Sequence, residues 1–180
     1  MFETVRNAFK IKDLRKKLFY TFFALIVVRI GSQLPVPGVK YEAIREMFNS
    51  QKSLDFFNQL TGGSFEQMSI FALNITPYIT ASIIIQLLTI AIPRLEELHK
   101  DGEEGRKKLT EYTRYVTIGL SVLESAAMAI GFGNSGYLTD DKITFTSVSV
   151  IIVSLTAGSA FLMWLGEQIT ERGIGNGISI

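Results

Sequence analysis

Apolar positions in this chain gather into long runs separated by charged or glycine-rich breaks. Residues 67–93 carry no formal charge, residues 115–139 carry only Glu124, and residues 143–166 carry none. Each run exceeds the roughly 20 helical residues needed to cross a hydrocarbon core of about 30 Å. A shorter run, residues 18–34, is interrupted near its far end by Arg29, whose long side chain can snorkel to headgroups or pair inside a bundle. The pattern predicts an all-α integral membrane protein, a single membrane domain with spans over 18–34, 67–93, 115–135 and 143–166. A basic stretch precedes the first run, as in a secretory signal. Arg29 breaks that run, however, and no small-residue cleavage pattern follows, so an uncleaved span is expected.

The second run holds 27 uncharged positions, about 40 Å of helix, which is longer than the hydrocarbon core. It must tilt, kink or begin outside the core. Pro77 lacks an N–H and would crowd the carbonyl of Leu73, which predicts a kink there. Ile79 falls near the run's midpoint, with Ile75 one turn away on the same face. Tyr78, Ser82 and Gln86 recur every fourth residue, as do Thr76 and Thr80. Lipid does not reward such polar stripes, so this helix is expected to face protein or a water-filled cavity. A midplane isoleucine pair between polar surfaces suits a hydrophobic constriction that resists water and ions; the alternative is a pair that packs a bundle or meets lipid.

Charge placement orients the runs. Of 18 Lys and Arg residues, six lie in residues 1–17 and six in residues 94–114, against three in residues 35–68 and Lys142 alone between the third and fourth runs. The positive-inside rule puts the N-terminus and the 94–114 loop in the cytoplasm. Four spans then return the chain there at residues 167–172, and residues 173–180 would begin a fifth. That remnant, about 12 Å of helix, is too short to cross the core and is expected to be disordered, or ordered only by contact with another chain or protein surface. The external connection, residues 35–66, is too long for a simple turn. Within it Leu54, Phe56, Phe57 and Leu60 give a short apolar face at helical spacing over 54–61, closed by Gly62 and Gly63. Taken by itself, this face reads as an amphipathic helix lying in the interface.

Composition narrows the chemistry. A charged fraction of 19% is low for a soluble domain, and a net charge of +1 gives no general attraction to nucleic acid. With no cysteine, disulfides, thiol catalysis and thiolate metal sites are excluded. The single histidine, His99, sits in a charged loop without metal partners, and no nucleophile–base–orienter set is visible, so the chain reads as neither an enzyme nor a cofactor or metal binder. The glycines at 173, 175 and 177 follow no strand and lack the spacing of a nucleotide-binding loop, which leaves close helix approach as their role. Glu124 is the one formal charge within the third run, either a functional group or a carboxyl that holds two helices together. The basic loop at residues 106–115 either contacts ribosomal RNA or an acidic protein surface or, more simply, fixes topology, which alone accounts for its charges.

Two segments carry a family resemblance: SIFALNITPYITASIIIQLL at residues 69–88 and MWLGEQITERGIGNGISI at residues 163–180. Both resemble the SecY family, channel subunits of the bacterial protein-conducting translocon, and the likeness extends over nearly the whole chain. It implies the first four of ten spans and the entry to a fifth. By that resemblance the 54–61 segment corresponds to the plug that covers the closed pore. Ile75, Ile79 and Ile178 match pore-ring positions, and Thr80 and Glu124 match the lateral gate through which signal sequences leave for lipid. Where the family motif usually has glycine this chain has Asn74, which puts local packing in doubt. The resemblance further implies protein secretion and membrane insertion at a bacterial inner membrane. The partners it implies are SecE- and SecG-type subunits, a translocating polypeptide or signal sequence, and a ribosome or SecA motor whose main contacts lie in later loops. The alternative reading is a small helical solute transporter or intramembrane scaffold using Glu124 and a broken second span.

Overall fold

The computed structural model describes residues 11–50, 63–64, 67–138 and 144–180. Among these residues the helices are, in order, α1 Lys12–Gly31, α2 Tyr41–Ser50, α3 Thr76–Ala91, α4 Pro93–Lys100, α5 Glu103–Asn134 and α6 Phe145–Arg172. Among the described residues, extended pairing is limited to two isolated bridges, Pro35 with Ser69 and Val39 with Leu138. Helices α5 and α6 are each long and apolar enough to cross a membrane, and α3 with α4 makes a third such unit bent by 103°. The chain is an all-helical membrane protein.

Helix α5 starts at Glu103, well before the expected span at 115, because its basic segment is itself helical and Glu103 and Glu104 in the first turn complement the helix dipole. Helix α6 likewise continues to Arg172, past the charge-free limit at 166, since charged residues at a membrane surface do not stop a helix. Helix α1 begins at Lys12, and its basic first turns precede an apolar segment that ends at Gly31, short of the expected 34.

The expected helix over 67–93 is corrected. Residues 67–75 form turns, and α3 begins only at Thr76. Pro77 makes no kink: it occupies the first turn of α3, where a missing N–H leaves no hydrogen bond unmade. The chain instead breaks at Ile92, between α3 and α4, where Pro93 opens the next helix. Non-helical backbone inside a membrane bundle must find its partners in protein. Here Val36 N–H donates to the Met68 carbonyl (2.8 Å), Ile70 N–H to the Leu34 carbonyl (3.0 Å) and Phe71 N–H to Ser69 Oγ (3.2 Å). Met68, Ala72 and Leu73 then join Val36, Ile44, Leu138, Ile151 and Leu155 in one buried cluster, so α3 starts inside the bundle.

Helix α5 is the central member, packed against α3 and against α6. Its buried residues recur every fourth position: Gly105, Leu109, Thr113, Thr117, Ser121, Ser125 and Ala129. Small side chains let neighbouring helices approach closely without a hydrophobic driving force. The hydroxyls cost little in this setting because they bond their own helix: Thr113 Oγ1 donates to the Leu109 carbonyl (2.9 Å), and Thr117 Oγ1 to the Thr113 carbonyl (2.7 Å). Ser125 Oγ donates to the Ser121 carbonyl and also pairs across to α6 with Thr156 Oγ1, 3.3 Å away.

Phe71 wedges the 67–75 turn against α1 and α6. Its ring stacks on Phe161 with centroids 5.9 Å apart, and it fills the space beside Gly31, where a Cβ would fall 2.1 Å from its Cε2 atom.

Candidate functional site

The turn before α3, the middle of α6 and the last residues of the chain converge on Gly166. A Cβ placed on Gly166 would lie 3.4 Å from Ile178 Cγ1 and 3.5 Å from Ile75 Cδ1. Two of the three isoleucines singled out in the sequence therefore meet, although they are far apart in the chain. They border a small hollow of about 130 Å³ that Leu25, Asn74, Leu162 and Ile169 also line. Ile79 is not in that lining. It lies one turn on, its N–H donating to the Ile75 carbonyl at 3.1 Å, and is 44% exposed on the open side of α3. Because α3 begins at Thr76, Ile79 sits in its first turns and not at the middle of a 27-residue helix.

Asn74 has φ of +54°, in the left-handed region. The substitution for glycine is thereby explained: the backbone there needs a residue that tolerates positive φ, and asparagine does so far better than most. Asn74→Gly is expected to be near neutral, whereas Asn74→Val should cost about 1–2 kcal/mol. Thermal unfolding of the two variants in detergent checks the difference.

Ile178 is placed by a glycine-rich turn. Gly175 has φ of +76°. Gly177 approaches α6 so closely that a Cβ would lie 2.1 Å from the Gly166 carbonyl oxygen. Asn176 caps a first helical turn: its Oδ1 accepts from Ile178 N–H (3.0 Å), and its carbonyl accepts from Ser179 N–H (3.0 Å) and Ile180 N–H (3.2 Å). Ile174 N–H donates to Thr21 Oγ1 of α1 (3.1 Å), and Gly177 N–H to Thr170 Oγ1 of α6 (2.9 Å). The expectation that residues 173–180 are disordered or ordered only against another chain or protein is therefore corrected, since α1 and α6 of the same chain hold them.

Thr80 and Glu124, expected together at a gate, are both half-buried, on α3 and α5. Among the described residues no hydrogen bond or ion pair joins them. In the plug-like segment Leu54, Phe56, Phe57, Leu60 and Gly62 lie outside the described residues, while Gly63 adopts φ of +84°.

One bidentate ion pair was not visible from local sequence. Arg114 of α5 grips Glu167 of α6 with both ends of its fork, Nε to Oε1 at 2.8 Å and Nη2 to Oε2 at 2.8 Å. The hydrogen bond to Glu167 holds the Arg114 guanidinium above even its usual high pKa. At the surface of α4, a hydrogen bond from Lys100 lowers the Glu96 pKa, with the lysine charge assisting. Among the described residues no three His, Asp or Glu side chains gather as a metal site.

Residues 69–180 match the sequence profile of the SecY family. The chain is 45% identical to the protein translocase subunit SecY of Streptomyces coelicolor over 193 aligned positions, covering 100% of this chain and 44% of that protein. It is thus less than half the length of that relative. Among solved structures, Sec61 in the canine ribosome–channel complex from the endoplasmic reticulum superposes with a TM-score of 0.60 at 22% identity, over 91% of this chain and 34% of the other. A SecY structure concerned with how the plug domain stabilises the closed translocation channel and maintains a membrane seal gives a TM-score of 0.60 at 24% identity, over 91% and 33%. At these identities the two structural likenesses establish the fold.

Proposed function

This chain belongs to the SecY family, and we propose that it forms the N-terminal portion of a protein-conducting channel for secretion and membrane insertion of polypeptides. The observation that carries the reading is the meeting of Ile75 and Ile178 at Gly166. Apolar side chains from two separate segments converge there beside an interrupted span, as a constriction requires and a lipid-facing helix does not. Ile79, exposed on the open side, extends the same apolar surface toward the conduit. Work is supplied from outside by a ribosome or a SecA-type motor, so the chain itself has no catalytic role. Membership of this family does not favour the solute-transporter alternative.

In this reading the chain resides in a bacterial inner membrane with SecE- and SecG-type subunits. Residues 35–66, including the plug-like 54–61 segment, face outward, and Thr80 and Glu124 contribute to a lateral exit for signal sequences. Residues 1–17 and 94–114, with twelve of the 18 Lys and Arg residues, face the cytoplasm. The absence of native cysteine makes this testable by a single substitution, Asp101→Cys, at the turn between α4 and α5. An impermeant thiol reagent is expected to modify it in inverted vesicles and not in intact cells. Modification in intact cells would reverse the proposed topology.

A further inference from the structure

Beyond the constriction itself, we propose that the Arg114–Glu167 pair is a positioning device that holds Ile75 and Ile178 together. Glu167 immediately follows Gly166, the point at which both isoleucines rest. Gripping that carboxylate from α5 at two atoms fixes both the rotation and the height of α6 at this level. A single-point contact would leave α6 free to turn about it, but a bidentate fork does not. The pair is not a surface ornament: the Glu167 side chain is only 13% exposed, against 45% for Arg114. Removing either partner leaves the other partly desolvated and uncompensated. Tyr78, one turn into α3, lies within electrostatic range of both charges, and Glu111 adds to the field on Arg114 from its own helix. The pair itself bonds α5 to α6, and Tyr78 brings α3 within electrostatic range of it. Loosening it lets Gly166 rotate away from Ile75, and the glycine-rich turn bearing Ile178 follows α6, because Gly177 N–H donates to Thr170 Oγ1 on that helix.

The inference rests on the channel reading for its consequence but not for its geometry, and the test separates the two. Ile75→Cys and Ile178→Cys are introduced together, and the yield of a short thiol-to-thiol crosslinker is measured in membranes. Arg114→Gln and Glu167→Gln, each added singly, are expected to lower that yield by about tenfold, as expected when a partly buried bidentate pair loses one member. The double replacement is expected to lower it no further than either single change, the signature of two residues acting as one unit. A Val39→Cys and Leu138→Cys pair, at an isolated bridge outside the lining of the hollow, reports on global folding and should crosslink equally in every background. Unchanged yield at 75 and 178, or strictly additive losses, would overturn the positioning role. Ion leak in a full-length channel carrying the same glutamine variants gives the second readout. If crosslinking falls while leak stays at baseline, the pair positions the isoleucines as inferred and the channel reading fails instead.

Discussion

Gly158→Ala is expected to destabilise the bundle by about 3 kcal/mol, at the upper end of overpacking costs, because nothing at the site can move aside. A Cβ there would fall 1.9 Å from the Ile70 carbonyl oxygen and 3.2 Å from Phe71 Cδ1. The first obstacle is backbone, in a segment pinned by the Ile70 N–H to Leu34 hydrogen bond. The second is a ring already stacked on Phe161. Larger residues at 158 should prevent assembly altogether. Gly119 and Gly131, on α5, have nothing within 4 Å of an added Cβ. Alanine there is expected to be neutral or to stabilise by up to about 1 kcal/mol through helix propensity. Thermal unfolding of the three alanine variants in detergent measures the contrast, and equal effects would mean that the 67–75 turn does not bear on α6.

Ile75→Ser combined with Ile178→Ser, in a full-length channel whose first 180 residues are this chain, should raise resting ion conductance severalfold. Both side chains line the hollow at Gly166, and serine removes apolar surface there while offering water a hydrogen-bonding partner. An apolar constriction gates by dewetting, so hydroxyls in its wall favour a continuous water path. Val153→Ser is the matched control: it lies on α6 but is 67% exposed on the outer side of that helix. Its conductance should stay at baseline. Equal increases from the two changes would indicate general loosening of the bundle and remove the case for a constriction.

The spans that became α5 and α6 were legible because a charge-free stretch of sufficient length has few options other than a membrane helix. Their ends were not, since the helices run on into charged segments where hydropathy falls but helix propensity does not. The 67–75 segment misled for a related reason. Its composition is that of a span, and only the tertiary partners of its backbone, Leu34 and Val36 among them, make turns affordable there. Asn74 carried a real signal, a glycine position filled by the residue that best tolerates positive φ, but the signal becomes decisive only once the turn is seen. The recurrence of mostly small residues at every fourth position along α5, from Gly105 to Ala129, is present in the sequence and marks the central helix. The Arg114–Glu167 pair could not have been read that way, because its members lie 53 residues apart and each looks like an ordinary charge at a span end. Ile75 stood out by its place in the second run and Ile178 only through family resemblance, and it is Gly166, which no pattern drew attention to, that explains how they meet.

A photoreactive residue in place of Ile79, in the same full-length channel loaded with a stalled secretory polypeptide, tests most directly whether this chain lines a polypeptide conduit. Ile79 is the exposed isoleucine one turn from the constriction, so a chain in transit should be captured there on illumination. The same probe in place of Val153 should capture none. Adducts at position 79 that appear only with the stalled polypeptide are the predicted result; equal capture at both positions, or none at 79 while the polypeptide is held in the channel, would contradict it.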